Sequence, residues 1–121
     1  MTVAAYGPMV SVALQAAEVA AAEGTSIEVV DIRSLSPVDY GPLVASTIKT
    51  GRLVLAAEAP GFVSVISEIA ATVTERAFFS LEAPVLRVAG FDAPFPPAKL
   101  ESTYLPDADR VLEAVDRSLG Y

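Results

Sequence analysis

The sequence contains no cysteine, no histidine and no tryptophan. Without cysteine there are no disulfides and no thiolate nucleophile; without histidine, zinc sites of the usual ligands and the side chain that most readily shuttles protons near neutral pH are gone as well. Any catalysis would rest on carboxylates, lysine, tyrosine or serine. Ser34 and Ser36 lie near a strand end, but no histidine base exists to complete a hydrolase triad of the common kind. Positive charge is also sparse: eight Lys and Arg against fifteen Asp and Glu leave a net charge of −7. The basic residues are scattered singly from Arg33 to Arg117 and form no stripe that could neutralise phosphates, so nucleic acid is not an expected partner. An excess of carboxylate serves solubility and can attract a basic protein. Long apolar runs are missing too, since Glu18, Glu23, Glu58, Glu68 and Glu75 interrupt the most hydrophobic stretches. No membrane span is expected. Met1-Thr2 opens directly into a strand pattern and not a secretory signal, which makes a cytoplasmic location the expectation.

What remains is a chain of 121 residues, 53% hydrophobic and 19% charged, which suits one folded domain of the usual size of roughly 100 to 150 residues. The pattern alternates. Thr2 to Tyr6 is a short apolar run closed by Gly7-Pro8, and Val10 to Glu23 then repeats apolar residues at helical spacing and stops at Gly24. Ser26 to Ile32 reads as a second strand; Asp39 is placed to cap a helix that runs to Thr50 and ends at Gly51. Arg52 to Ala57 is a nearly all-apolar third strand, as expected where helices cover both faces of a sheet. The longest helix is predicted over Val63 to Ser80 with Ile66, Ile69, Ala70, Val73 and Ala77 on one stripe. Pro84 to Ala89 is a fourth strand, Phe91 to Pro106 a Pro- and aromatic-rich connector without periodicity, and Pro106, Asp107 and Asp109 open a final helix. Strand and helix alternate four times through full helices, which predicts a three-layer α/β/α fold on a mainly parallel sheet.

No glycine-rich phosphate loop is present, because every glycine falls at an element end. Glu58 is the leading functional carboxylate: it lies just beyond a buried strand, where open α/β sheets tend to bind ligands. Asp31 and Arg33, two apart at the end of the second strand, project to one side and can pair. These positions frame a rival reading, a small-ligand or regulatory binding domain using the crevice near Glu58 and Asp31.

Several segments in order carry a resemblance: Tyr6-Gly7-Pro8-Met9-Val10, Asp31 through Asp39, Lys49-Thr50-Gly51-Arg52-Leu53-Val54, Glu58-Ala59-Pro60, Ser67-Glu68-Ile69-Ala70, Ala83 through Val88, Asp92-Ala93-Pro94-Phe95-Pro96 and Tyr104-Leu105-Pro106. In that order and spacing the chain resembles, over its whole length, the C-terminal domain of the beta subunit of 2-oxo acid dehydrogenases, the decarboxylating component of the pyruvate and branched-chain complexes. The Asp92 to Pro96 stretch is the more similar to branched-chain members.

The resemblance implies a transketolase C-terminal-like fold with a mixed five-stranded sheet, one strand antiparallel, the fifth strand lying in the connector or near a terminus. It implies thiamine diphosphate and magnesium in the parent enzyme, held between the alpha subunit and the N-terminal domain of the beta subunit, and no cofactor bound by this domain alone. The partners implied are the alpha subunit and a second beta subunit in a heterotetramer, together with the dihydrolipoyl acyltransferase core. Asp92 and the terminal Tyr121 are expected to face that core's basic binding domain. Residues 1–121 would then form one domain of a longer subunit, with Met1 an engineered start or the edge of a separated fragment. Transketolase and deoxyxylulose phosphate synthase carry the equivalent domain and stand as alternatives. The chain departs from the family at Ala57 and Ser11, where histidine is usual, and at Val63-Ser64, where Gly-Gly is expected.

Overall fold

The computed structural model describes all 121 residues. Its strands are β1 (Thr2–Ala5), β2 (Glu28–Asp31), β3 (Leu53–Pro60) and β4 (Leu86–Gly90); its helices are α1 (Met9–Ala22), α2 (Tyr40–Thr50), α3 (Val65–Ala77), α4 (Glu101–Tyr104) and α5 (Ala108–Leu119). The four strands form one sheet in the order β2-β1-β3-β4, and every neighbouring pair is parallel. The three-layer α/β/α fold of transketolase C-terminal type is therefore as expected from the sequence, with four strands instead of five and none antiparallel. The connector holds no fifth strand. It folds as a turn of 3-10 helix at Ala98–Leu100 followed by α4, and Pro94, Pro96 and Pro97 lack the N–H groups that a ladder would need.

Alternation along the central strands builds two cores. Val3 and Ala5 of β1 with Val54 and Ala56 of β3 face α1 and α5. Ala4, Leu53, Leu55 and Ala57 point the other way, onto α2 and α3. Leu53 through Ala57 are all fully buried, and each large apolar side chain so placed contributes about 1.5–3 kcal/mol by leaving water. The buried side of α1 is formed by Met9, Ala13, Ala16 and Ala20, and the three alanines let the helix lie close to the sheet. At the floor of the sheet the Thr2 hydroxyl is 2.7 Å from that of Ser46 and 2.8 Å from that of Thr50, tying β1 to α2 with satisfied polar atoms.

Helix ends follow their sequence signals. The Asp39 carboxylate accepts from the Gly41 N–H at 3.0 Å, and the Asp107 carboxylate accepts from the Arg110 N–H at 3.0 Å. Gly51 ends α2 with φ of 73°, in the left-handed region. The long helix is shorter than its periodicity predicts, starting at Val65 because Ser64 is extended and Val63 has φ of 50°, and tightening into 3-10 geometry at Phe78–Ser80.

Gly90 shows how tightly β4 closes on β3. The register of that pair shifts between Ala56 and Pro60, and a Cβ on Gly90 would lie 2.4 Å from the Glu58 carbonyl oxygen and 2.8 Å from the Tyr104 ring. Gly90→Ala is expected to destabilise the domain by about 1–3 kcal/mol through this overpacking, read as a lowered urea midpoint. Gly120→Ala, whose Cβ would meet nothing nearer than 3.6 Å, should leave the midpoint in place. Equal midpoints for the two variants would contradict the packing described.

Candidate functional site

The connections leaving β1 and β3 run to opposite faces, to α1 and α3. This divergence opens a crevice at the carboxyl ends of the two adjacent strands, the position where open α/β sheets bind ligands. Tyr6 and Gly7 follow the end of β1, and Glu58 and Ala59 are among the last residues of β3. Burial raises the Tyr6 phenol above its ordinary pKa, and the negative charge of Glu58 raises it further. Tyr6 therefore holds its phenolic proton more tightly than an ordinary tyrosine does. Nothing in its own segment marked it out in the sequence, since the raised pKa depends on a neighbour fifty-two residues away.

Asp31 and Arg33 form the expected pair, with the Arg33 Nε donating to the Asp31 Oδ2 at 3.1 Å. Their side chains are 39% and 87% exposed, so the pair fixes the loop weakly. They line a shallow groove of about 310 Å3 with Val30, Ile32, Ser34, Asp39 and Pro42. Glu58 is absent from that groove, on the far side of β1. The structure therefore does not gather Glu58, Asp31 and Arg33 into one cleft, as the small-ligand reading would require. Ala57, where the family usually has histidine, is fully buried against α2 and α3; Ser11 is exposed on α1.

The loop between β3 and α3 is the feature the sequence did not disclose. Its Gly61 carbonyl accepts from the Ser67 hydroxyl at 2.9 Å and from Arg87 Nη1 at 3.2 Å. The next N–H, that of Phe62, donates to Asp92 Oδ1 at 3.0 Å. So anchored, the loop holds Phe62 and Val63 in solvent, 77% and 84% exposed. Val63 has φ of 50°, a conformation that a β-branched residue adopts only under constraint. Across the Asp92 contact lie two more exposed aromatics, Phe91 and Phe95, whose rings stack edge-on against Tyr104. The Tyr104 hydroxyl donates to the Phe91 carbonyl at 3.0 Å. Of the two positions where Gly-Gly is expected, only Val63 has positive φ, the conformation that favours glycine; Ser64 is extended.

Asp92 and Tyr121 lie at opposite ends of the sheet. Asp92 follows the carboxyl end of β4; α5 then runs back the full height, about 18 Å at 1.5 Å per residue for its 12 residues, and its last turn meets Arg52 at the start of β3 through the Ser118 carbonyl. No group of three or more Asp or Glu side chains converges in a metal-ligating arrangement. No helix is long and apolar enough to cross a membrane.

A family profile described as Transketolase, C-terminal domain, matches residues 1–111. The chain belongs to the transketolase C-terminal domain family. Within it, this domain is 72% identical over 120 residues to a pyruvate dehydrogenase E1 component subunit beta of Leifsonia xyli subsp. xyli, a match covering 99% of this chain and 36% of that protein. It is 46% identical to a 3-methyl-2-oxobutanoate dehydrogenase subunit beta of Mycobacterium tuberculosis H37Rv, over 98% of this chain and 34% of the relative. It is 40% identical to the pyruvate dehydrogenase E1 component subunit beta of Bacillus subtilis 168, over 100% of this chain and 37% of the relative. This transketolase C-terminal domain thus spans about a third of the length of the curated relatives it matches.

Two outcomes test the geometry. The raised Tyr6 pKa means that the native state favours the neutral phenol, so its contribution to stability is full below the unfolded-state pKa and is lost as pH rises through the folded one. Tyrosinate absorbance should show one late-titrating tyrosine, absent in Tyr6→Phe and only partly restored to ordinary behaviour by Glu58→Gln, because burial is the larger cause. Val63→Gly relieves about 1–2 kcal/mol of left-handed strain against about 0.5–1 kcal/mol of added chain entropy. It should leave stability level or raise it slightly, whereas Val19→Gly, inside α1, should lower it by about 1 kcal/mol.

Proposed function

We propose that these residues are the C-terminal assembly domain of the beta subunit of a thiamine diphosphate-dependent 2-oxo acid dehydrogenase, which decarboxylates its substrate oxidatively and passes the acyl group to lipoyl. The observation that carries this reading is the 72% identity over 99% of the chain to a pyruvate dehydrogenase subunit beta of which the chain spans 36%. Relatives named for pyruvate and for 3-methyl-2-oxobutanoate both match across Asp92 to Pro96. The higher identity favours pyruvate, against the branched-chain leaning of that stretch.

In this reading the diphosphate and its magnesium lie in walls built by the alpha subunit and the rest of the beta subunit. The domain contributes packing surface, and the exposed Phe62, Val63, Phe91 and Phe95 support that role, because contiguous exposed apolar side chains mark contact surfaces. Docking of the acyltransferase core through acidic positions, Asp92 among them, and through the terminal Tyr121 is supported by the net charge of −7.

The isolated domain, mixed with thiamine diphosphate, magnesium and either pyruvate or 3-methyl-2-oxobutanoate, is expected to show no turnover. Sustained decarboxylation by these residues alone would overturn the proposal. Binding of the acyltransferase's basic domain to the complete subunit should weaken as salt rises; salt-independent binding would remove the electrostatic contact from it.

A further inference from the structure

The last helix carries a charge arrangement that the assembly reading leaves unused. The ion pairs of the chain are Arg33 with Asp31, Lys49 with Glu28, and Arg52 with Glu82. Arg87, Arg110 and Arg117 enter none of them, although the protein has fifteen carboxylates. All three line one small cleft of about 120 Å3 between β4 and α5, with Val88, Glu113 and Ala114 completing the wall. Arg87 is already engaged, since its guanidinium donates to the Gly61 carbonyl and the Ser67 hydroxyl. Arg110 and Arg117 are the groups with capacity to spare.

Arg110 is held in place before any ligand arrives. Its Nη2 donates to the Ala89 carbonyl at 2.6 Å, and its guanidinium carbon lies 5.0 Å from the centre of the Phe91 ring. Its Nη1 is buried and has no hydrogen-bond partner. A guanidinium anchored in this way keeps a fixed positive charge beside the cleft. Arg117 follows two helical turns later on the same side of α5, with Glu113 between the two.

We propose that this cleft is a binding site for a phosphate group, free or at the end of a small phosphate ester, held between the guanidinia of Arg110 and Arg117. A volume of about 120 Å3 corresponds to about four waters at 30 Å3 each, which suits a tetrahedral oxyanion. Planar guanidinia with fixed donors are the side chains best matched to it. Glu113 opposes a second negative charge in the cleft and so sets a modest affinity.

The test uses the 121-residue chain with isotope-labelled arginine side chains, titrated at constant ionic strength with inorganic phosphate and, separately, with glycerol phosphate. Saturable shifts of the Arg110 and Arg117 Nε–H signals are expected. Arg117→Gln, an exposed change that leaves the core untouched, should weaken binding about ten- to a hundredfold, the loss of one charge-assisted hydrogen bond. Glu113→Gln should tighten it about two- to fivefold, and Arg33→Gln should change nothing. Saturation by both anions assigns the site to the terminal group of an ester, and saturation by inorganic phosphate alone assigns it to the free ion. Absence of saturable shifts with either, or the same affinity in wild type and Arg117→Gln, overturns the proposal.

Discussion

Everything in this domain depends on β1 and β3 being covered on both faces. A strand in that position has no solvent side, so each of its residues must suit one of two cores, and β3 meets the demand with five consecutive fully buried residues, Leu53 through Ala57. The two helix layers then have no freedom in where they sit. α1 and α5 take the side presented by Val54 and Ala56, α2 and α3 the side presented by Leu53 and Leu55. Because α1 leaves β1 on one face and α3 leaves β3 on the other, the crevice at their carboxyl ends is a product of the same constraint.

Much of this was legible in the residues. Asp39 and Asp107 announced helix starts, Gly51 announced a stop, and the unbroken apolar run of β3 announced a buried parallel strand. What was not legible has tertiary causes. The connector has no periodicity because its order comes from Phe91 and Phe95 against Tyr104, and from the Tyr104 hydroxyl on backbone carbonyls. The fifth strand expected from the family is absent, and the prolines of the connector account for its not forming there.

The site was legible only in part. Asp31 and Arg33 pair as their spacing implies; Glu58 lies inside β3, which runs on to Pro60, and not beyond the strand as its sequence suggests, and β1 lies between it and the pair. Tyr6 acquires its character from burial and from Glu58. The Phe62-Val63 tip is fixed by Asp92, Ser67 and Arg87, residues brought in from the connector, α3 and β4. Local propensity speaks against Val63 at positive φ; the surrounding hydrogen bonds override it.

The alanines of α1 have a consequence for how this domain tolerates change. Ala13, Ala16 and Ala20 surrender no rotamer freedom when they meet the sheet, so the helix docks almost backbone to backbone. Its inner face consequently has one permitted size, and drift in sequence is channelled outward, to positions such as Ser11, Leu14 and Glu18 that look onto open water.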